Sequence, residues 1–157
     1  MSSFDDAFVA LIGNEGGYTV DDGGATMFGI TEQVARSNGF SGDMHNLTLD
    51  QAKSIAKKCY WDVYQCDQFD PRIGFQVFDA AYNGGHPAQW LQQSAIVFVD
   101  GVIGAQTIAA VRSIDPLKII MRFDAIRLQY MAGLNVWPTY GKGWANRISK
   151  NLLLAAM

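Results

Sequence analysis

Apolar positions first recur at steps of three and four, Phe4, Ala7, Phe8, Leu11 and Ile12, which predicts an amphipathic helix at the start of the chain. Ser3 followed by Asp6 supplies a capping-box pattern at its beginning, and Gly16 and Gly17 after Glu15 supply its stop. The pattern then changes. From Tyr18 to Thr31 the run YTVDDGGATMFGIT mixes Thr, Val, Phe and Ile around an Asp-Asp-Gly-Gly turn, the signature of a short hairpin or irregular β element. Helical spacing returns at Thr48, which with Gln51 opens a second helix. Its apolar face of Ala52, Ile55, Ala56, Cys59, Tyr60 and Val63 runs to about Gln65 and puts Cys59 in the core.

A third helix is predicted over 71–82, stopped by Asn83, Gly84 and Gly85. Pro87 starts a fourth that reaches about Ile96. Asp100-Gly101 marks a turn, a short helix is expected near 105–113, and Asp115-Pro116 caps a long one that ends near Gly133. Pro138, Gly141 and Gly143 are read as breakers ahead of a final helix at about 144–155. With no internal repeat or low-complexity linker, the chain is read as one α+β domain, mainly α, with a small β element after the first helix.

Composition narrows the classes. At 157 residues, 49% apolar and 17% charged, the chain can bury a core and is not a disordered one. Its longest uncharged stretch, Ala80 to Val99, contains Asn83, two glycines, His86, Pro87 and three glutamines, too polar for a membrane span. The opening MSSFDDAF lacks a basic segment and apolar run, so no secretory signal is visible and any export is expected by another route. Cys59 and Cys66, seven apart on one helix, would be separated by roughly 10 Å and cannot bridge. Two histidines, His45 and His86, with no Cys or His pair at ligand spacing, give no metal site, and no cofactor is implied. Residues 1–50 carry a charge of about −7 and the remainder about +4, but Lys and Arg form no cluster, so nucleic acid is not an expected partner.

Chemistry enters at Glu15, one of only two glutamates, which follows Phe8, Leu11 and Ile12 on the apolar stripe of the first helix. Partial burial and the negative helix end both raise a carboxyl pKa, and a carboxylic acid held protonated near neutral pH is what a glycosidase uses to protonate a leaving oxygen. A glutamate at a frayed helix end turned to solvent is the plain alternative. Asp21, Asp22 and Thr26 lie close in sequence. An aspartate there suits a second catalytic group, though Asp-Asp-Gly-Gly is also ordinary turn chemistry. Asp79 and Asn83, four apart on one helix face, can bind sugar hydroxyl or acetamido groups or merely cap the helix. Tyr18, Trp61, Tyr64, Tyr82 and Trp90 can stack on sugar rings, although aromatics at helical spacing are more often core; Tyr64 and Tyr82, each off the main apolar stripe or beside a turn, are preferred, with Tyr18 as a third substrate-binding candidate.

The segment FDDAFVALIGNEGGYTVDDGGATMFGIT resembles the N-terminal signature of glycoside hydrolase family 108, phage and prophage N-acetylmuramidases. Tyr60-Trp61, FDAAYNGGHPAQWLQQ, VDGVIGAQTIAAV and GKGWANRI match in order along nearly the whole chain; the middle two resemble the family's predicted peptidoglycan-binding segment. The resemblance implies Glu15 as the catalytic glutamate, Gly23 and Gly24 as the paired glycines and Thr26 as the threonine. The Val20-Asp21-Asp22 stretch is shorter than the family's usual aspartate-proline loop, so the matching aspartate is Asp21 or Asp22, of which Asp22 is taken. The order glutamate, aspartate, threonine also looks like that of phage lysozymes, implying a lysozyme-like fold with a catalytic segment over about 1–70 and a helical segment over about 72–157 that completes its cleft.

The expected function is that of an endolysin-type muramidase cutting the β-1,4 bond between N-acetylmuramic acid and N-acetylglucosamine, with Glu15 as general acid. The expected partner is peptidoglycan glycan, and the expected state a monomer. By the same analogy the protein would be made in a host bacterial cytoplasm and act on the cell wall in the periplasm. The alternatives are a lytic transglycosylase, with one acid/base and an anhydro product, and a non-catalytic peptidoglycan-binding module.

Overall fold

The structure, a computed structural model, describes residues 4–12, 16–21 and 23–157. It divides into two compact units, Met1–Val63 and Tyr64–Met157. Helices dominate and a small antiparallel sheet lies in the first unit, the α+β class expected. Among the described residues no helix is long and apolar enough to cross a membrane.

In the first unit, α1 (Phe4–Ile12) buries Phe4, Ala7, Phe8 and Leu11, the stripe its spacing predicts. Three strands follow, β1 (Thr19–Asp21), β2 (Gly24–Met27) and β3 (Ile30–Thr31), antiparallel in the order β1-β2-β3. Phe28 and Gly29 join the last two with φ of 51° and 75°, as a type I′ hairpin turn requires. Thr31 then caps a short helix, α2 (Glu32–Ser37), by accepting a 3.2 Å bond from the Val34 N–H. That helix was not legible as a period: it spans six residues and buries one, Ala35.

The capping box at Thr48 and Gln51 forms as expected and starts α3 (Leu49–Ala56). Its continuation departs from the prediction. Residues Lys57–Asp62 wind as a π-helix, with Lys57 Nζ reaching Asp62 at 3.0 Å. The wider turn rotates later side chains off the 3.6-residue stripe. Cys59 is therefore only half-buried, its Sγ 3.5 Å from the Asn38 amide nitrogen, and Val63 is exposed. Trp61 takes the core position instead, with its ring 5.4 Å from that of Phe4 at 62°. Both cysteines are free thiols.

The second unit is helical: α4 (Pro71–Tyr82), α5 (Pro87–Ala95), α6 (Ala105–Arg112), α7 (Pro116–Ala132) and α8 (Trp137–Ala155). Its capping follows the sequence. Asp70 and Asp115 each precede a first-turn proline and accept from the backbone N–H two residues on, at 2.9 and 2.8 Å. All residues from Ile73 to Tyr82 are buried, making α4 the central helix. α7 packs against α4, α5, α6 and α8. Between α5 and α6, buried Gln92 holds the Asp100-Gly101 turn by accepting from both backbone N–H groups at 3.1 and 2.9 Å.

One predicted boundary is wrong. Pro138, Gly141 and Gly143 do not break the chain; α8 begins at Trp137 and runs through all three. Pro138 lies in the first turn, where its missing N–H is not needed. Gly141 is buried beneath the Trp137 indole, which occupies the space a Cβ would fill. A Gly141→Ala variant is the check. Helix propensity alone predicts a gain of about 1 kcal/mol, whereas the collision with Trp137 predicts a loss of about 1–3 kcal/mol. We expect the loss, as a lowered urea midpoint.

Candidate active site

Glu15 and Asp22 lie outside the described residues. What the structure gives is the scaffold between and beyond them. The register pairs Thr19 with Thr26 and Thr26 with Thr31, so three threonines form one row across the sheet. Thr26 is half-buried on the middle strand, and its hydroxyl meets that of Thr19 at 2.5 Å. Thr31 is spent on capping α2, so Thr26 is fixed by Thr19 alone of its two neighbours. Asp21 serves the turn: its Oδ1 accepts from the Gly23 N–H at 2.8 Å. Gly24 follows with φ of 104°, a conformation that favours glycine.

Tyr18, next to this row, stacks on His45 with ring centroids 3.5 Å apart and planes 22° apart. His45 is in turn held by Asp43, whose Oδ1 lies 2.8 Å from its Nδ1 and also 2.8 Å from its backbone N–H. These two bonds keep the Asp43 carboxyl below the usual range, the backbone one most strongly. Sequence reading missed Asp43, His45 and Thr19. Thr19 had a signal, since a hairpin closing at Asp21 and Gly24 forces Thr19 opposite Thr26. The other two had none, because a short 3-10 turn, Met44–Asn46, delivers them. An open pocket of about 630 Å³ between residues 38–42 and the start of α3 contains none of the predicted residues.

The remaining candidates fall in the second unit. Tyr64 is half-buried, and burial chiefly, with Cys66 nearby, pushes its hydroxyl pKa up. Asp79 is reassigned. It is fully buried, and its carboxylate takes Arg127 Nη1 at 2.8 Å, Arg147 Nη2 at 2.9 Å and the Asn151 amide at 2.7 Å, leaving no face for a sugar. Burial pushes its pKa up, but the two guanidinium groups outweigh that and hold it below the ordinary carboxylate value. Tyr82 is also core rather than a platform, buried edge-on to Phe78 with ring centroids 5.7 Å apart. Asn83, the C-terminal cap of α4, is half-buried and lines a small pocket.

Beside the Asp79 cluster is a second buried carboxyl, Asp124, neither of whose oxygens has a hydrogen-bond partner among the described residues. Burial lifts its pKa to about 7; the Arg127 charge works against that rise and Asp79 adds to it.

The chain matches the family model Glycosyl hydrolase 108 over residues 8–85. Among solved structures it is similar to SagA of Brucella abortus, with 33% identity over 98% of this chain and 93% of that one, and a TM-score of 0.89. No match is found among curated protein sequences. Fold and sequence together define a glycoside hydrolase of the α+β, lysozyme-like class. The chain belongs to glycoside hydrolase family 108 and is a peptidoglycan-hydrolysing enzyme.

Two outcomes follow from the buried charges. Replacing Asp79 by Asn strands Arg127 and Arg147 and should cost about 3–5 kcal/mol in urea unfolding. Asp124 acts in the opposite sense. Its folded pKa of about 7 lies above the ordinary aspartate value of 3.8, so the folded state holds the proton more tightly. Its contribution is therefore intact below about pH 4 and lost as pH rises to about 7. Asp124→Asn should flatten that part of the stability profile and be more stable than the parent at pH 8, by on the order of 1–4 kcal/mol.

Proposed function

We propose that the enzyme is an N-acetylmuramidase that hydrolyses the β-1,4 bond between N-acetylmuramic acid and N-acetylglucosamine, with Glu15 as general acid. The observation that carries this reading is placement in the chain. Glu15 lies between α1 and a three-stranded sheet whose middle strand carries Thr26, paired to Thr19. Asp22 is the second carboxylate in this reading. Its support is that the neighbouring Asp21 is committed to the turn through Gly23. Thr26 positions water or substrate beside it, and Tyr18, stacked on His45 and adjacent in the chain to Thr19, offers a ring next to the threonine row. A muramidase that meets its substrate from inside a host cell is an endolysin, the biological role we infer from the family.

The chemistry needs a proton delivered to the leaving oxygen while charge develops at the anomeric carbon, and general acid catalysis of this kind is worth about 10²–10⁴-fold. Glu15→Gln should therefore lose on the order of 10²–10⁴-fold in fragment release from purified peptidoglycan while keeping the parent melting temperature. Mass spectrometry of the parent's products should show reducible N-acetylmuramic acid ends. Anhydro ends, together with near-normal activity in Asp22→Ala, would overturn hydrolysis in favour of a transglycosylase. A folded Glu15→Gln protein with full activity would remove Glu15 from its role.

A further inference from the structure

Residues 96–102, Ile-Val-Phe-Val-Asp-Gly-Val, join α5 to α6 and turn apolar side chains outward. Ile96 is 76%, Phe98 82% and Val102 65% exposed, and Val99 is exposed beside them. Single exposed apolar residues are ordinary, but four within seven positions mark a surface that meets another apolar phase. Phe98 and Val102 line the same open hollow of about 300 Å³, so these two side chains share one side of the turn.

The exposure is built into the turn. Buried Gln92, which accepts from the Asp100 and Gly101 N–H groups, also donates from Nε2 to the Asp100 Oδ1 at 2.8 Å and to the Val102 carbonyl at 3.0 Å. The same Oδ1 accepts from the Val102 N–H at 2.9 Å, so the turn cannot fold its apolar side chains inward without breaking these bonds. Ile96 ends α5 with φ of 57°, a left-handed conformation that suits glycine and strains a β-branched side chain. Burial does not offset that strain at a residue so exposed, which points to a contact made outside the chain.

The neighbouring charges select the partner. Arg122 of α7 donates to the Ser94 carbonyl at 3.0 Å, two residues before Ile96, and Lys118 stands one turn earlier on the same face of α7. Neither forms an ion pair among the described residues. Asp100 is the only acid between Pro87 and Ile114, and its Oδ1 is already held by Gln92 and Val102. Exposed apolar side chains flanked by unpaired cations match the two layers of an anionic bilayer surface, acyl carbon below and phosphate above. A two-fold pairing of the patch with itself would instead set the Lys118 and Arg122 of both copies against each other.

We propose that the 96–102 turn is a membrane-docking tip that seats the second unit on a bilayer containing anionic phospholipid. Ile96, Phe98, Val99 and Val102 enter the boundary between headgroups and acyl chains while Lys118 and Arg122 pair with lipid phosphates. The contact is peripheral, and it goes beyond the cleavage reaction without depending on which bond is cut.

The test is co-sedimentation of the full chain with vesicles of phosphatidylcholine alone and of phosphatidylcholine with phosphatidylglycerol, at low salt and at about 0.5 M salt. We expect saturable binding to the anionic vesicles and little to the neutral ones, with Phe98→Ser and Ile96→Gly each weakening it at least about tenfold. Ile96→Gly relieves the left-handed strain, so it should keep or raise the parent's urea midpoint, which separates lost binding from lost fold. Lys118→Gln should weaken binding at low salt and matter little at about 0.5 M, where the attraction to phosphate is screened. No binding to anionic vesicles, equal binding to neutral ones, or undiminished binding by Phe98→Ser overturns the proposal. A parent that self-associates and ignores vesicles, with Phe98→Ser monomeric, overturns it in favour of a second copy as the partner. Release of peptidoglycan fragments by the parent, measured without vesicles, reports on the muramidase reading alone.

Discussion

Three helices of the second unit converge on one buried carboxylate. Asp79 projects from α4 and is met by Arg127 from α7 and by Arg147 and Asn151 from α8. Taking such a charge out of water is expensive, and a buried ion cluster is not in itself a strong source of net stability. Its effect is on which arrangement forms. With the carboxylate fully enclosed, any slip of α7 or α8 along α4 would leave an uncompensated charge in the interior, so the helices have one permitted register. Gln76 extends the constraint by donating to the Asn151 carbonyl at 3.1 Å, tying α4 to the backbone of α8 as well.

The cluster has a price, visible in the groups it leaves short of partners. Asp124 and the second terminal nitrogen of Arg127 are buried beside it without hydrogen bonds among the described residues. A helix packed only for stability would not place a carboxyl there. Arg127 also lines a small pocket walled by aromatic rings. Those rings are fixed by one another, by the bare backbone of Gly85 and by His86.

The first unit uses a different device. Its sheet is small, and its strands are exposed or half-buried except at Ile30, so burial alone specifies little about which way each residue faces. Turn chemistry does that instead. Asp21 with Gly23, Gly24 at positive φ, and the Phe28-Gly29 turn set the register, and the register places the three threonines in a row. Thr26 was recognisable in the sequence because it stands in a family motif. Thr19 was recoverable from hairpin arithmetic, whereas Asp43 and His45 lie 25 and 27 residues along the chain from Tyr18 and carry no local sign of nearness to it. Asp79 misled because its four-residue spacing from Asn83 shows that two side chains share a helix face but not whether that face looks outward, and Tyr82 because nearness to a turn does not imply exposure; from Ile73 to Tyr82 every face of α4 is buried.

The sequence by itself determined where the side-chain-capped helices α3, α4 and α7 begin. Capping side chains and first-turn prolines act within three residues, so Thr48, Asp70 and Asp115 start their helices as their patterns predict. It also determined the class of the fold, because the change from three-and-four spacing to a glycine-rich turn run is itself local. Tertiary structure decided the rest. The π-turn that brings Trp61 rather than Cys59 into the core, the passage of α8 through Gly141 beneath Trp137, and the enclosure of Asp79 by two arginines 48 and 68 residues away all depend on partners distant along the chain. The physical reason is common to all three. Local patterns report the conformation a segment prefers, but burial and charge compensation are properties of the space it shares.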